Sequence, residues 1–254
     1  MEIKGYHIDT GASSGRFNMD FDLRLASESE ESSFYLRFYR WDPFCVSLGA
    51  NQPEEGLNIE ALHADGFDFV RRPTGGRAVF HSEELTYSVI LNKTDLTPRE
   101  SYNAINEALL MGLVNYDKRL SAAGLSGDEV NFKEHYRSAE SVACFSVPSK
   151  SEVKLDGRKL IGSAQRKIGG VILQHGSINT GSFHKKIVDY LNIDRFEKVS
   201  LKMLLDTKTS DIKSIIGEDV DMERLKISIL DGFRERFSLD FEELLIEKES
   251  LENK

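Results

Sequence analysis

Cysteine is scarce in this 254-residue chain: Cys45 and Cys144 are the only two. That excludes a disulfide scaffold, and two cysteines cannot by themselves hold a zinc ion. No run approaches the ~18 consecutive apolar residues that a membrane span needs. The opening Met1-Glu2-Ile3-Lys4-Gly5 lacks the charged-then-apolar pattern of a secretory leader. Internal repeats and linkers rich in Pro, Gly or Ser are also missing. A cytoplasmic location with no membrane partner is the expectation. A net charge of -9 argues against general nucleic-acid binding, which rests on phosphate neutralisation by Lys and Arg.

With 40% apolar and 30% charged residues, the composition is that of an ordinary globular protein long enough to bury a real core. Its charge is unevenly placed. Arg71, Arg72 and Arg77 lie in a segment without acids, and Lys154, Arg158, Lys159, Arg166 and Lys167 are opposed by Asp156 alone. Acidic residues crowd Glu28 to Glu31 and the tail from Glu242 to Glu252. A basic patch on an acidic protein suits an acidic partner such as a phosphorylated carrier, or is a solvated surface with chance clustering.

Alternation predicts strands over 34–41, 67–72, 77–81 and 85–91, with Cys45-Val46-Ser47-Leu48-Gly49 resuming after Asp42-Pro43. Ile59 to Ala64 reads as a short helix. Apolar residues at helical spacing, Ile105, Leu109, Leu110, Leu113 and Val114, predict a long helix from Arg99 to about Ala123. Val153-Lys154-Leu155, the hairpin signal Asp156-Gly157 and a strand from Arg158 to Lys167 follow. On that strand Lys159, Ile161 and Ser163 would share one face. Gly169-Gly170 turns into a strand over 171–178, and beyond residue 184 the pattern is helical. The predicted fold is a mixed α/β (α+β) domain with a largely antiparallel sheet flanked by helices. Residues 1–199 would form the main domain and 200–254 a helical extension packed on it.

The densest chemistry lies in Arg71-Arg72-Pro73-Thr74-Gly75-Gly76-Arg77-Ala78-Val79-Phe80-His81. Arginines beside a backbone that a ligand can approach closely point to a bound anionic or activated acyl group. Cys144 offers a nucleophile and Lys159 an electrostatic helper, a combination that points to acyl transfer. Each residue also has a plainer reading. Cys144 between Ala143 and Phe145 suits core packing, Lys159 after a turn suits the surface, and Gly75-Gly76 suits a tight turn. Neighbours on a strand face opposite ways, so Arg71 and Arg72 divide into one binding and one structural residue. His81 and His175 are either hydrogen-bonded structural histidines or site residues.

The arginine-glycine segment resembles the Arg-Arg-x-x-Gly-Gly-x-x-Val-x-His motif of the biotin/lipoate protein ligase superfamily. Val153 to Ile178, with Asp156-Gly157-Arg158-Lys159 and Gln174-His175-Gly176, is similar to that family's lysine-bearing hairpin. Ile8-Asp9-Thr10-Gly11 through Asn18-Met19-Asp20 is similar to its N-terminal block. The segment around Ala143-Cys144-Phe145 resembles the cysteine-dependent octanoyltransferases within it. The resemblance implies Cys144 and Lys159 as catalytic residues. Arg71, Arg72, Gly75, Gly76, His81, Gly162, Ser163 and His175 would bind substrate, with no metal.

It further implies octanoyl acyl carrier protein as donor and a lipoyl domain or glycine-cleavage H protein as acceptor, with no ATP. Thiolate attack on the donor thioester would give an acyl-Cys144 intermediate, and Lys159 would stabilise the thiolate and the oxyanions. Gly75, Gly76 and the strand from Lys159 would line an apolar channel that selects acyl length. The rival readings are an ATP- and Mg-dependent lipoate ligase that leaves Cys144 idle, an octanoyl amidotransferase between lipoyl-bearing proteins, and a lipoate-binding module without turnover.

Overall fold

Strongly alternating strands need a face to bury, and they find it in one six-stranded sheet. The protein is described from a computed structural model covering residues 3–92, 95–125 and 152–246. The strands are β1 (Lys4–Ser13), β2 (Ser33–Trp41), β6 (Glu84–Asn92), β10 (Ile161–Ile168), β11 (Val171–Asn179) and β12 (Phe241–Glu243), ordered β10-β11-β6-β2-β1-β12. β10, β11, β6 and β2 pair antiparallel, whereas β1 joins both β2 and β12 in parallel. The mixed, largely antiparallel sheet expected from the sequence is the one observed.

One face carries Phe34, Leu36, Phe38, Tyr87 and Val89 against α3 (Pro98–Tyr116) and α6 (Met222–Phe237). α3 starts on a capping box from Thr97 and Glu100 with Pro98 in its first turn. It crosses α6 closely, because a Cβ on Gly112 would stand 2.6 Å from Ile229 Cα. The opposite face carries Ile8, Tyr35, Ile90 and Leu173 against α1 (Gly15–Glu28). Beside it lies a small sheet, β4-β3-β5, from β3 (Cys45–Leu48), β4 (Asp68–Arg71) and β5 (Val79–His81). Its core is closed by α2 (Ile59–Ala64), a 3-10 segment (Phe183–Tyr190) and α4 (Arg195–Lys208). α5 (Ile212–Ile216) and α6 complete the C-terminal part, and β12 returns the chain to the main sheet.

Two elements differ from expectation. The strand read from Arg158 to Lys167 is two strands in two sheets. β9 (Arg158–Lys159) closes a hairpin with β8 (Val153–Leu155) and β7 (Ala123–Leu125), while β10 belongs to the main sheet. The chain changes partners at Leu160, whose N–H donates to Val153 and whose carbonyl accepts from Asn179. Lys159 therefore does not share a sheet face with Ile161 and Ser163. The hairpin turn itself is as read, with Asp156 at φ 50° and Gly157 at φ 75°. The long helix ends at Tyr116 rather than near Ala123. Asp117 is extended there, and its carboxylate takes the Arg119 N–H to start a 3-10 turn over Lys118–Ala122.

Candidate active site

The face towards α1 and the small sheet carries polar side chains where an ordinary core would be apolar. From β2 comes Arg37, fully buried, with its guanidinium on Asp22 at 2.7 Å, Thr10 at 2.8 Å and Asn18 Oδ1 at 2.7 Å. The second Asp22 oxygen meets His175 Nδ1 at 3.2 Å and the Tyr39 hydroxyl at 3.3 Å. Burial pushes the Asp22 carboxyl up, but Arg37 and His175 outweigh it and hold it below its usual range. Burial lowers His175 despite Asp22. A neutral His175 donates from Nδ1 to Asp22 and accepts at Nε2 from the Thr74 hydroxyl, 2.7 Å away.

A second network surrounds His81. Its ring stacks on Trp41 at 4.0 Å, its Nε2 lies 2.7 Å from Ser47 Oγ and its Nδ1 lies 2.8 Å from Glu84 Oε1. The same Glu84 oxygen accepts from Thr86 and Ser177, and Trp41 Nε1 donates to Thr86. Arg72 links this network to the glycine turn. It donates to the Ser47 carbonyl and hydroxyl and to the carbonyls of Gly75 and Arg77. Gly76 holds φ 97°, and a Cβ there would stand 2.7 Å from an Arg72 nitrogen. Arg71 points away and braces the Gly49 to Glu54 loop.

Between these networks lies a narrow cavity of about 30 Å³. Met19, Tyr39, Trp41 and Val79 supply apolar walls, and Gly162, Ser163 and Gly176 form one side. Five residues singled out in the sequence, Arg72, His81, Gly162, Ser163 and His175, line it together. Gly75, Gly76, Arg71 and Lys159 are not among its lining residues. Lys159 is 2% exposed in β9, with Nζ 2.6 Å from Glu152 Oε1. Cys144 lies outside the described residues. Arg166 donates to the Pro73 carbonyl at 2.9 Å, so the two basic segments of the sequence meet.

Sequence reasoning missed Met19, Trp41, Thr86 and Ser177 in the wall, and Asp22, Arg37 and Glu84 behind it. The signal was there for Arg37: an arginine at an inward position of an aromatic strand needs a buried acid. Among the described residues no helix is long and apolar enough to cross a membrane.

The site is thus a small, mostly apolar cavity with Arg72, His81, Ser163 and His175 in its walls, the mix of apolar lining and a few placed polar groups typical of a small-molecule site. Residues 14–234 match the lipoyl protein ligase A/B catalytic domain. Octanoyltransferase LipM of Lysinibacillus sphaericus is 34% identical over 97% of this chain and 92% of its own length. The Bacillus subtilis protein of that name is 35% identical over 96% and 90%. In solved structures, a bi-partite lipoate protein ligase from Thermoplasma acidophilum superposes with a TM-score of 0.77 at 21% identity, over 98% of this chain and 90% of that one. A lipoate-protein ligase A bound with ATP gives 0.74 at 22%, over 98% and 92%. The chain belongs to the lipoyl protein ligase A/B catalytic-domain family, within the octanoyltransferase subgroup of the biotin/lipoate ligase superfamily. It is an acyltransferase.

Proposed function

We propose that the protein moves an octanoyl group from acyl carrier protein to a lysine of a lipoyl domain or glycine-cleavage H protein, through a thioester on Cys144. The observation that carries this reading is the cavity where Arg72, His81, Gly162, Ser163 and His175 converge, in a chain matching octanoyltransferases over nearly its whole length. Burying eight carbons at ~0.8 kcal/mol per methylene is enough to make acyl length selectable. The Cys144 thiolate attacks the carrier thioester, forming a new C–S bond as the carrier thiol leaves. The acceptor amine then attacks, forming the C–N bond and releasing Cys144.

Lys159 supplies positive charge to the thiolate and the oxyanions, and its ion pair with Glu152 fixes that charge in place. Thioester to amide conversion is downhill, so no ATP or magnesium is consumed. Residues 1–199 carry the chemistry and residues 200–254 brace it, in the cytoplasm. Incubation with octanoyl acyl carrier protein, without ATP, tests the reading. A hydroxylamine-labile octanoyl adduct on Cys144 is expected. Turnover only with ATP and free acid would instead favour the ligase.

A further inference from the structure

Eight large apolar side chains stand exposed among the described residues, and three of them, Phe196, Val199 and Met203, are on α4. Single exposed apolar residues need no explanation, whereas a contiguous patch marks an interaction surface. At 3.6 residues per turn these three fall within about 60° of one another around the helix. Leu201 and Leu205, which pack into the core of the small sheet, lie on the opposite side. The fold therefore uses one apolar stripe of α4 and leaves a second in water. On that second stripe Phe196 is 84% exposed, Met203 66% and Val199 53%.

The charge around the stripe is opposite in sign to that of the protein. On α4, Arg195, Lys198, Lys202 and Lys208 outnumber Glu197 and Asp206, in a chain of net charge -9. Both acids are already engaged. Glu197 closes the capping box with Asp194, and Asp206 holds Lys185 at 2.8 Å. Lys198 donates to the Asp189 carbonyl rather than to a carboxylate, so its charge is not neutralised there.

The end of α4 also runs into the strand of Lys159. Thr209 pairs with Lys159, and the Ser210 N–H donates to the Lys159 carbonyl at 2.9 Å. Met203 lies six residues before Thr209, about 9 Å along the helix axis. We propose that the exposed face of α4 is the docking surface for the donor carrier, an acidic protein. An apolar patch of the carrier would seat on Phe196, Val199 and Met203, with its carboxylates facing Arg195 and the lysines. Naming the partner as the donor rests on the transfer reading above. Charge complementarity selects this occupant, because a second copy paired across the same face would oppose like charges. A carrier seated on α4 stands beside the strand that holds Lys159.

A comparison of two donors tests the surface: octanoyl acyl carrier protein, and octanoyl-pantetheine, the same thioester without the protein. In Phe196→Ser/Met203→Ser, kcat/KM with the carrier should fall tenfold or more, the loss expected for removed interface anchors. With octanoyl-pantetheine it should match wild type. Equal values for the carrier in both proteins, or an equal fall for both donors, overturns the docking surface. Arg195→Glu/Lys208→Glu leaves the stripe in place and should also weaken the carrier as donor, with a flatter dependence on NaCl. It carries the comparison if the first variant fails to fold.

Binding of fluorescently labelled carrier protein separates this proposal from the transfer reading. Carrier binding that Phe196→Ser/Met203→Ser loses, in a protein that transfers octanoyl from neither donor, would sink the transfer reading and keep the surface. Equal transfer by both proteins from both donors would do the reverse. Dimerisation, or binding to phosphatidylglycerol vesicles, that the variant loses while carrier binding is unchanged would give α4 to another occupant and overturn the proposal.

Discussion

The two faces of the six-stranded sheet follow opposite rules. Towards α3 and α6, Phe34, Leu36, Leu109, Leu113, Ile229 and Phe233 form an apolar core. Towards α1 and the small sheet, the same strands bury Arg37, Glu84, Thr86, His175 and Ser177. Apolar packing is tolerant of detail, whereas a buried polar network is specific and costly if any member is lost. One face therefore supplies stability, and the other uses part of it to hold charged and hydrogen-bonding groups around a cavity.

The largest expected effect is that of Cys144, which lies outside the described residues. Cys144→Ala should abolish octanoyl transfer from carrier protein, with circular dichroism and melting temperature unchanged. An active Cys144→Ala protein with carrier as sole donor would remove the thioester from the path. Lys159→Ala should lower both half-reactions by roughly a hundredfold, as for a lost oxyanion donor. It should also destabilise the protein by about 3–5 kcal/mol, because it breaks the buried Lys159–Glu152 ion pair by removing one member. Stopped-flow acylation and urea unfolding read the two effects separately.

On the apolar side, Phe233→Ala should cost about 3–5 kcal/mol. Its kcat at a temperature where it remains folded should match wild type. A large kcat loss would show that the two faces are not independent. A pH dependence sharpens the comparison at the edge of the small sheet. His184 is pushed down to about 4 by burial, from 6.5. Between those values the unfolded chain takes the proton and the native one does not, so stability rises with pH across that window. It is flat above 6.5 and loses roughly 3 kcal/mol once pH falls below 4. Urea titrations from pH 4 to 7 should show the slope, and His184→Gln should flatten it. The smallest expected effect is on specificity. Gly162→Leu should intrude on the cavity and shift preference to shorter donors, whereas Gly75→Leu, outside its lining and with open space around its Cβ, should leave acyl length unchanged. Competition between octanoyl and hexanoyl carrier proteins measures both.

Much of the fold was legible because its signals are local. The alternation of Phe34 to Trp41, the Asp156-Gly157 turn and the span of α6 each rest on residues within a few positions of one another. β1 and α1 escaped detection, although Ser14 as N-cap and Phe17, Phe21 and Leu25 at helical spacing were available. The break at Leu160 was not legible. It depends on hydrogen bonds to Val153 and Asn179, which alternation alone does not express.

By itself the sequence determined the chemical inventory of the site: the arginine-glycine turn, the histidines, Lys159 and Gly162 of β10. Residue type and near-neighbour spacing suffice for that. Tertiary structure decided which of them work together. Asp22 meets Arg37 and His175, His81 meets Glu84 and Ser177, and Arg72 turns inward while Arg71 turns out. A buried charge must find its partner wherever the sheet brings one, and strand order sets that proximity, not distance along the chain.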